Sequence, residues 1–488
     1  MNIEIKMILS LLPMFIIGAM IILVLISMVI SRRNSGCSLI LTLSGLLLSI
    51  FVLIYCRYTE RFVIIPFLSI DGYSIFFSIL ILISSFATVI FSNICLTFYP
   101  EPEEFYLLLL IASLGGILLA SANNFASLFI SIELMTVPLL GIIGYASHNK
   151  FSIEACIKYS MLSFISTSFL LFSIALIYGH FGNLVFYEIG REVTPEYLNK
   201  YPLLLIGLSL LITSIGFKLS LVPFHFWTPD VYQGVPTSVI TFLATSIKIA
   251  IFSAIARFLI LVSITDHEAI RIVLEVMAFL SIVIGNLLAF YQKNLKRFLG
   301  YSSIAHFGYL WISLIFINQH LFPLETAEIY LLGYLLSSLG LLGIITLISS
   351  INQTSSLDDY RGLFWKSPVL SIMMTIMMLS LAGIPMTLGF IGKFYLIMLI
   401  IIMHAWWLMV GFLIGSIIGI YYYLRIIVYL YLSPMLPMEN ISPDYTPLTI
   451  GRLSVNIAVF ILTILVIILG FIPQLVITFI KYAHPIPY

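Results

Sequence analysis

Charge is the scarcest thing in this sequence: 22 basic and 21 acidic residues are spread over 488 positions, 9% against about 25% in a soluble domain. A soluble chain of this length would need a charged surface, and 61% apolar with 14% aromatic residues leaves none to build. The chain is a polytopic membrane protein. A net charge of +1 without any run of three basic residues excludes phosphate recognition, so nucleic acid is no partner. Cysteine is scarce too. Cys37, Cys56, Cys95 and Cys156 stand singly, without C-x-x-C or metal-ligand spacing, and read as small core residues. Glycine-rich nucleotide loops, H-E-x-x-H and C-x-x-C-H are absent, so no nucleotide, cluster, zinc or covalent haem is expected on this chain, and no catalytic residue or metal site.

What is present is apolar sequence in long runs. A helix needs about 20 apolar residues to cross a hydrocarbon core, and cutting at Pro, Gly, Asn and charge clusters gives fourteen spans, near 7–31, 37–56, 72–97, 105–122, 124–146, 153–179, 201–226, 236–261, 268–291, 298–318, 325–349, 369–400, 404–432 and 454–481. The fold class is all-α, with about fourteen transmembrane helices. Lys6 is followed by about 25 apolar residues without a small-residue cleavage site, longer than a signal-peptide core, so span 1 is expected to stay. The linker around 180–200 carries Glu188, Arg191, Glu192, Pro195 and Lys200 and reads as a solvated loop with a helical turn. Loop Lys and Arg divide evenly between the two sides and do not orient the chain.

Two spans are irregular. Span 7 carries Pro223 and runs into Thr228-Pro229-Asp230, and span 12 holds Gly383-Ile384-Pro385 inside about 32 residues, too long for one straight crossing. Each reads as a broken helix. Such breaks are tolerated at membrane depth only inside protein or beside water, and they mark transport paths. Their separation by five spans suggests two five-helix repeats. The expected layout is spans 1–3 in 1–104, a first repeat (spans 4–8) in 105–262, a second (spans 9–13) in 263–432, and span 14 in 433–488.

Ionisable residues at membrane depth cost about 2.5–3.5 kcal/mol each on insertion scales, and four stand out. Glu133 lies mid-span 5, Lys248 mid-span 8, Lys218 five residues before Pro223, and Lys393 eight after Pro385. These groups exchange protons and cannot accept electrons. At 4 Å and an effective dielectric near 20, a carboxylate attracts an ammonium by about 4 kcal/mol, so the position of Glu133 would set how tightly Lys218 holds its proton. The resulting expectation is a relay: Glu133 tunes Lys218, which passes its proton through Lys248 toward Lys393. His225, beside the first break, reads either as a gate or as a partner for backbone groups freed by Pro223. His306 in span 10 reads either as a satisfied core histidine or as a water-assisted bridge from Lys248 to Lys393. Glu154 and Lys158 form an i, i+4 pair whose default role is local, with Lys158 a further path candidate. Lys293, Lys296 and Arg297 read as an interfacial anchor, and Asp230 as a helix cap.

The phrases around these charges are distinctive. Phe105–Tyr145 (FYLLLLIASLGGILLASANNFASLFISIELMTVPLLGIIGY), Gly216–Ile251 (GFKLSLVPFHFWTPDVYQGVPTSVITFLATSIKIAI), Leu299–Leu310 (LGYSSIAHFGYL) and Leu379–Tyr395 (LSLAGIPMTLGFIGKFY) resemble the antiporter-like N-type membrane subunits of bacterial NADH-quinone oxidoreductase, respiratory complex I. The resemblance extends over essentially the whole chain. It implies fourteen helices in two inverted five-helix repeats with spans 7 and 12 broken, and a place in a membrane arm that couples electron transfer to proton export. It also implies a multi-pass location in the bacterial inner membrane, with both termini on the periplasmic side. The family's membrane-depth glutamate and lysines fall on Glu133, Lys218, Lys248 and Lys393. NAD, FMN, iron-sulfur clusters and quinone would belong to the complex as a whole, and membrane lipid with M-type and K-type subunits would be the neighbours. The M-type sister carries glutamate where this chain has Lys393, and the L-type sister continues past span 14 into a lateral helix where this sequence ends at Tyr488.

Three other readings are compatible with the sequence. A cation/proton antiporter would use the same lysines, although sodium needs several oxygen ligands and each path offers one membrane-depth carboxylate at most. A passive scaffold would dock neighbours without moving protons. A proton module attached to a hydrogenase would share the fold.

Overall fold

In the computed structural model, residues 3–30, 35–56, 62–64, 67–96, 101–146, 149–318, 321–352, 356–433 and 450–481 are described. Twelve helices among them are long and apolar enough to cross a membrane. These are Ile3–Ile30, Ser35–Cys56, Gly72–Cys95, Pro102–Ala120, Phe125–Gly144 and Lys150–Phe181 (spans 1–6), then spans 8–11 (Thr237–Leu261, Glu268–Phe290, Leu295–Ile315, Phe322–Asn352), span 13 (Trp406–Tyr431) and span 14, whose first piece is Ile450–Phe471. Span 7 is Pro202–Lys218 followed after a turn by Trp227–Gly234, and span 12 is Pro368–Ala382 followed by Leu388–Ile402. The chain is an all-α polytopic membrane protein, with one short antiparallel hairpin of β1 (Phe62–Ile64) and β2 (Leu68–Ile70).

Spans 3, 8, 10 and 11 are buried on nearly all sides, whereas spans 1, 2, 6 and 14 present most of their apolar surface outward. A helix that is apolar all round belongs in such a centre. Small residues set how closely helices meet. A Cβ on Gly285 would stand 2.8 Å from the Ala305 nitrogen, and one on Gly308 would stand 2.9 Å from the Ile282 nitrogen, so spans 9 and 10 touch backbone to backbone. Gly115 does the same for span 4 against Met135 of span 5.

One local construction occurs twice. Asn124 caps span 5 by accepting from the Ala126 and Ser127 amides and bridges to Val185, while Asn294 caps span 10 through the Lys296 and Arg297 amides and bridges to Ser356. An asparagine cap satisfies amides that a helix start leaves free.

Several expectations are corrected. Span 14 breaks at Ile472, because Pro473 cannot continue the ladder, and restarts as Pro473–Lys481. The 180–200 linker folds into two short helices, Phe186–Glu192 and Pro195–Lys200, and Phe186 is buried with its ring 5.0 Å from Phe125 and 5.3 Å from Phe258. Cys37, Cys95 and Cys156 are half-buried rather than core residues. The burial of Cys56 lies outside the described residues.

A buried ion pair ties the hairpin to the bundle. Arg257, near the end of span 8, holds Asp71 through two bonds of 3.0 and 2.9 Å, and also reaches Ser69 and the Ala120 carbonyl. Asp71 meanwhile caps span 3. Removing one member of such a pair leaves an uncompensated buried charge. Asp71→Asn or Arg257→Ala is therefore expected to destabilise the protein by about 3–5 kcal/mol, read as a lowered thermal transition of the purified protein in detergent.

Candidate functional site

The three buried lysines come from elements that cannot be regular helices where they meet the site. Lys218 closes the first piece of span 7, and Ser220, two residues on, takes a left-handed backbone at φ 59°. Lys248 follows a π-helical turn, Leu243–Ile247, of the kind that interrupts helices at functional positions. Lys393 stands in the second piece of span 12, after a break holding Gly383 at φ 79° and Met386 at φ 71°. Left-handed backbone at a serine and a methionine is strained, and such strain persists only where the surroundings enforce it.

Each ammonium is met by neutral oxygen. Lys218 donates to the Ser163 hydroxyl at 2.8 Å; Lys248 donates to Ser220 at 2.6 Å and Ser303 at 3.0 Å, and lies 4.8 Å from the Phe307 ring centre; Lys393 donates to the Ala382 carbonyl at 2.7 Å. That carbonyl is free because the helix breaks after it. The Lys393 ammonium also lies 5.7 Å from the Tyr309 ring centre.

Glu133 makes no direct ion pair with Lys218. It accepts from the Thr167 hydroxyl at 3.0 Å, and Thr167 also bonds the Ser163 carbonyl, so one turn of span 6 joins the carboxylate to the oxygen that holds the lysine. Glu133 still acts on Lys218 through space. Beyond Lys248 the line continues through span 10. Ser302 accepts from Tyr423 at 3.2 Å, Tyr423 lies 3.0 Å from His306 Nε2, and His306 Nδ1 lies 2.7 Å from the Tyr330 hydroxyl. A small cavity lined by His306, Tyr330, Tyr334, Ser380 and Lys393 separates that ring from the last lysine, wide enough for a water.

The sequence candidates therefore divide. Lys218, Lys248, His306 and Lys393 are buried, with half-buried Glu133 at the edge beside Lys218 and with Pro223, Gly383 and Pro385 in the two breaks. His225 is buried in the first break with Nδ1 unpartnered among the described residues, its ring 4.4 Å from Phe226. Lys158 lies apart from the line. It pairs with Glu154 at 2.7 Å, as its spacing predicts, and also with Asp230 at 2.9 Å. Asp230 is no cap: it bridges Lys158 to Arg297, which is 2.8 Å away, while Lys296 donates to the Val235 carbonyl. The expected basic anchor thus clamps the second piece of span 7.

Sequence reasoning missed the hydroxyls Ser163, Thr167, Ser220, Ser303 and Tyr423, which no charge announces. It also missed Glu328, fully buried in span 11. Glu328 sits near the start of its span, where a carboxylate is ordinary. A search for charge anywhere between residues 322 and 352, rather than at span centres, would have found it.

Residues 122–419 match the family described as NADH:quinone oxidoreductase/Mrp antiporter, transmembrane. Among solved structures, the chain resembles a chain of respiratory complex I from Thermus thermophilus with bound aureothin, at 32% identity and TM-score 0.79, covering 96% of this chain and 98% of that one. It also resembles a chain of the membrane-bound sulfane sulfur reductase, an archaeal respiratory complex (22%, TM-score 0.85, 98% and 97%), and one of the Mrp complex from Dietzia sp. (17%, TM-score 0.84, 98% and 97%). At those identities the last two speak for the fold alone.

The second break makes a direct demand on sequence. A Cβ at Gly383 would overlap the Lys393 stem, and its left-handed φ penalises any L side chain. Gly383→Ala is expected to lower stability by about 1–2 kcal/mol from backbone alone, measured by thermal unfolding, with a further loss from displacing Lys393.

Proposed function

The chain belongs to the NADH:quinone oxidoreductase/Mrp antiporter family, and from that premise we propose that it is the N-type proton-translocating subunit in the membrane arm of a bacterial NADH-quinone oxidoreductase. The observation that carries this reading is the set of three buried ammonium groups, two met by serine hydroxyls and the last by a backbone carbonyl, with Glu133 one helical turn from the first. Ser220 and Ser303 accept from Lys248 and donate to the Leu219 and Gly300 carbonyls; a hydroxyl that rotates off its carbonyl makes a short step for a proton entering or leaving that amine. His306, held between two tyrosines, carries the line on to the Lys393 cavity.

Coupling in this reading is electrostatic. A change in charge or position at Glu133 alters how firmly Lys218 holds its proton, with the Ser163–Thr167 turn fixing their separation. Redox chemistry belongs to other subunits, which hold NAD, FMN, iron-sulfur clusters and quinone, and M-type and K-type subunits flank this one in the bacterial cytoplasmic membrane. The identity of 32% over 96% of the chain to a chain of a bacterial complex I supports that assignment. The twice-used asparagine cap supports reading 105–262 and 263–432 as two inverted repeats, each contributing half of the line.

Lys393→Met in the whole complex, reconstituted into vesicles, is expected to cut protons moved per NADH oxidised severalfold while assembly on a native gel stays normal; undiminished pumping would move the chain to a docking role. The same vesicles should pump equally well with sodium replaced by potassium, and a sodium requirement would favour cation exchange. Losing a hydrogen bond to a charged group costs about 1.5–3 kcal/mol. The double variant Ser163→Ala, Thr167→Val is accordingly expected to slow pump-coupled turnover about tenfold or more, in single-preparation assays against the parent complex.

A further inference from the structure

Glu328 has no place in the line described above, yet it is the most isolated carboxyl in the described structure. It is 0% exposed, and neither carboxylate oxygen has a hydrogen-bond partner among the described residues. A buried, unpaired carboxylate is strongly disfavoured, and binding a proton removes its charge. The chain could carry an alanine or leucine here without that penalty.

Its surroundings connect it to the site. Glu328 acts electrostatically on Tyr73 of span 3, as do Arg257 and Asp71. The Tyr73 hydroxyl donates to the Ser253 carbonyl of span 8 at 2.7 Å, and the Arg257 guanidinium lies 4.8 Å from the Tyr73 ring centre. Lys248 is five residues from Ser253 on that same span. On its own helix, Glu325 is the charge that acts on Glu328. Two residues further on, a rise of about 3 Å, Tyr330 holds His306. The carboxyl thus stands at nearly the depth of the His306 cluster, on another face of span 11. Span 11 packs against span 3, and the start of span 11, the start of span 3 with its hairpin, and the end of span 8 stand at the same end of the bundle. Arg257 is already engaged by Asp71, Ser69 and the Ala120 carbonyl.

We propose that Glu328 is a proton-carrying carboxyl at the hairpin end of the bundle, the station through which the Lys248–His306 stretch exchanges protons with that face. The inference rests on the proposed function. The carboxyl binds one proton at an oxygen and releases it in the next half of the cycle, with no other bond made or broken. Tyr73, whose hydroxyl is committed to the Ser253 carbonyl, feels the charge of this carboxyl without bonding it.

The test uses the whole complex in vesicles carrying Glu328→Gln or Glu328→Asp, with Lys393→Met run alongside. Glu328→Gln should assemble and lose severalfold in protons per NADH, and Glu328→Asp should keep most of it. The redox-induced infrared difference spectrum should lose a protonated-carboxyl C=O band in the glutamine variant and show it displaced in the aspartate variant. Pumping at the parent level in Glu328→Gln, or an unchanged carboxyl region, overturns the proposal. If the glutamine variant does not assemble, the infrared band of the aspartate variant decides: displaced supports, unmoved overturns. Loss of pumping in Lys393→Met with parent-level pumping in Glu328→Gln sinks this inference alone, whereas normal pumping in both sinks the proposed function as well.

Discussion

An ammonium group buried among helices loses its water, and none of the three in this protein meets a carboxylate in exchange. Lys218 and Lys248 are held by serine hydroxyls, and Lys393 by a backbone carbonyl. The choice of partner matters because a carboxylate would fix a lysine in its charged form, while a hydroxyl accepts from an ammonium and donates to a neutral amine equally well. Ser220 and Ser303 now donate to the Leu219 and Gly300 carbonyls, and turning either hydroxyl to the amine would satisfy the neutral state without any helix moving. Lys393 differs. A carbonyl only accepts, so the bond to Ala382 can persist in the neutral state, and the cavity shared with His306 and Tyr330 adjoins the amine.

The breaks in spans 7 and 12 follow from the same need. A continuous helix has no spare carbonyl or amide at membrane depth, and lipid supplies no water to satisfy one. Breaking the helix frees such groups, and the fold then re-engages those that face the interior. Trp227 donates to the Phe217 carbonyl, the Val222 amide donates to Ser281, the Gly389 amide donates to Ser380, and Lys393 takes Ala382. The left-handed Ser220 illustrates the trade: its backbone is strained, and its hydroxyl is the group that meets Lys248. Gly383 does the converse, since a bare Cα is what lets the Lys393 stem lie across the break.

Charge in an apolar run was the legible part of the site. Glu133, Lys218, Lys248 and Lys393 announce themselves because so little else in the chain is ionisable, and the prolines and the excess length of span 12 mark the breaks equally plainly. The hydroxyls do not. Span 6 alone contains Ser152, Ser160, Ser163, Ser166, Thr167, Ser168 and Ser173, and most bond a carbonyl of their own helix or a neighbour, as Ser152 and Ser168 do. Nothing local distinguishes the two that face Glu133 and Lys218. Asp230 shows a second limit, because its sequence position beside a break suggests a cap, while its partners Lys158 and Arg297 arrive from spans 6 and 10. Pairing between distant elements is a property of the packing and leaves no periodic trace.

Exposure along the line is uneven, and that asymmetry bears on how the site can be driven. The three lysines are buried, whereas Glu133 is half-buried on a face of span 5 that also presents Ile130 and Val137 outward. A group deep in the bundle responds only to its own helices. A carboxylate at an edge facing lipid or a neighbouring subunit responds to charges outside the chain, and in so apolar a setting such fields fall off far less than in water. The Thr167–Ser163 turn then links that edge to Lys218 through a single helical turn rather than an ion pair, so the same turn of span 6 holds both ends. An arrangement meant only to hold helices together would bury Glu133 against Lys218 directly; the interposed turn keeps the two charges apart and within reach of each other's field.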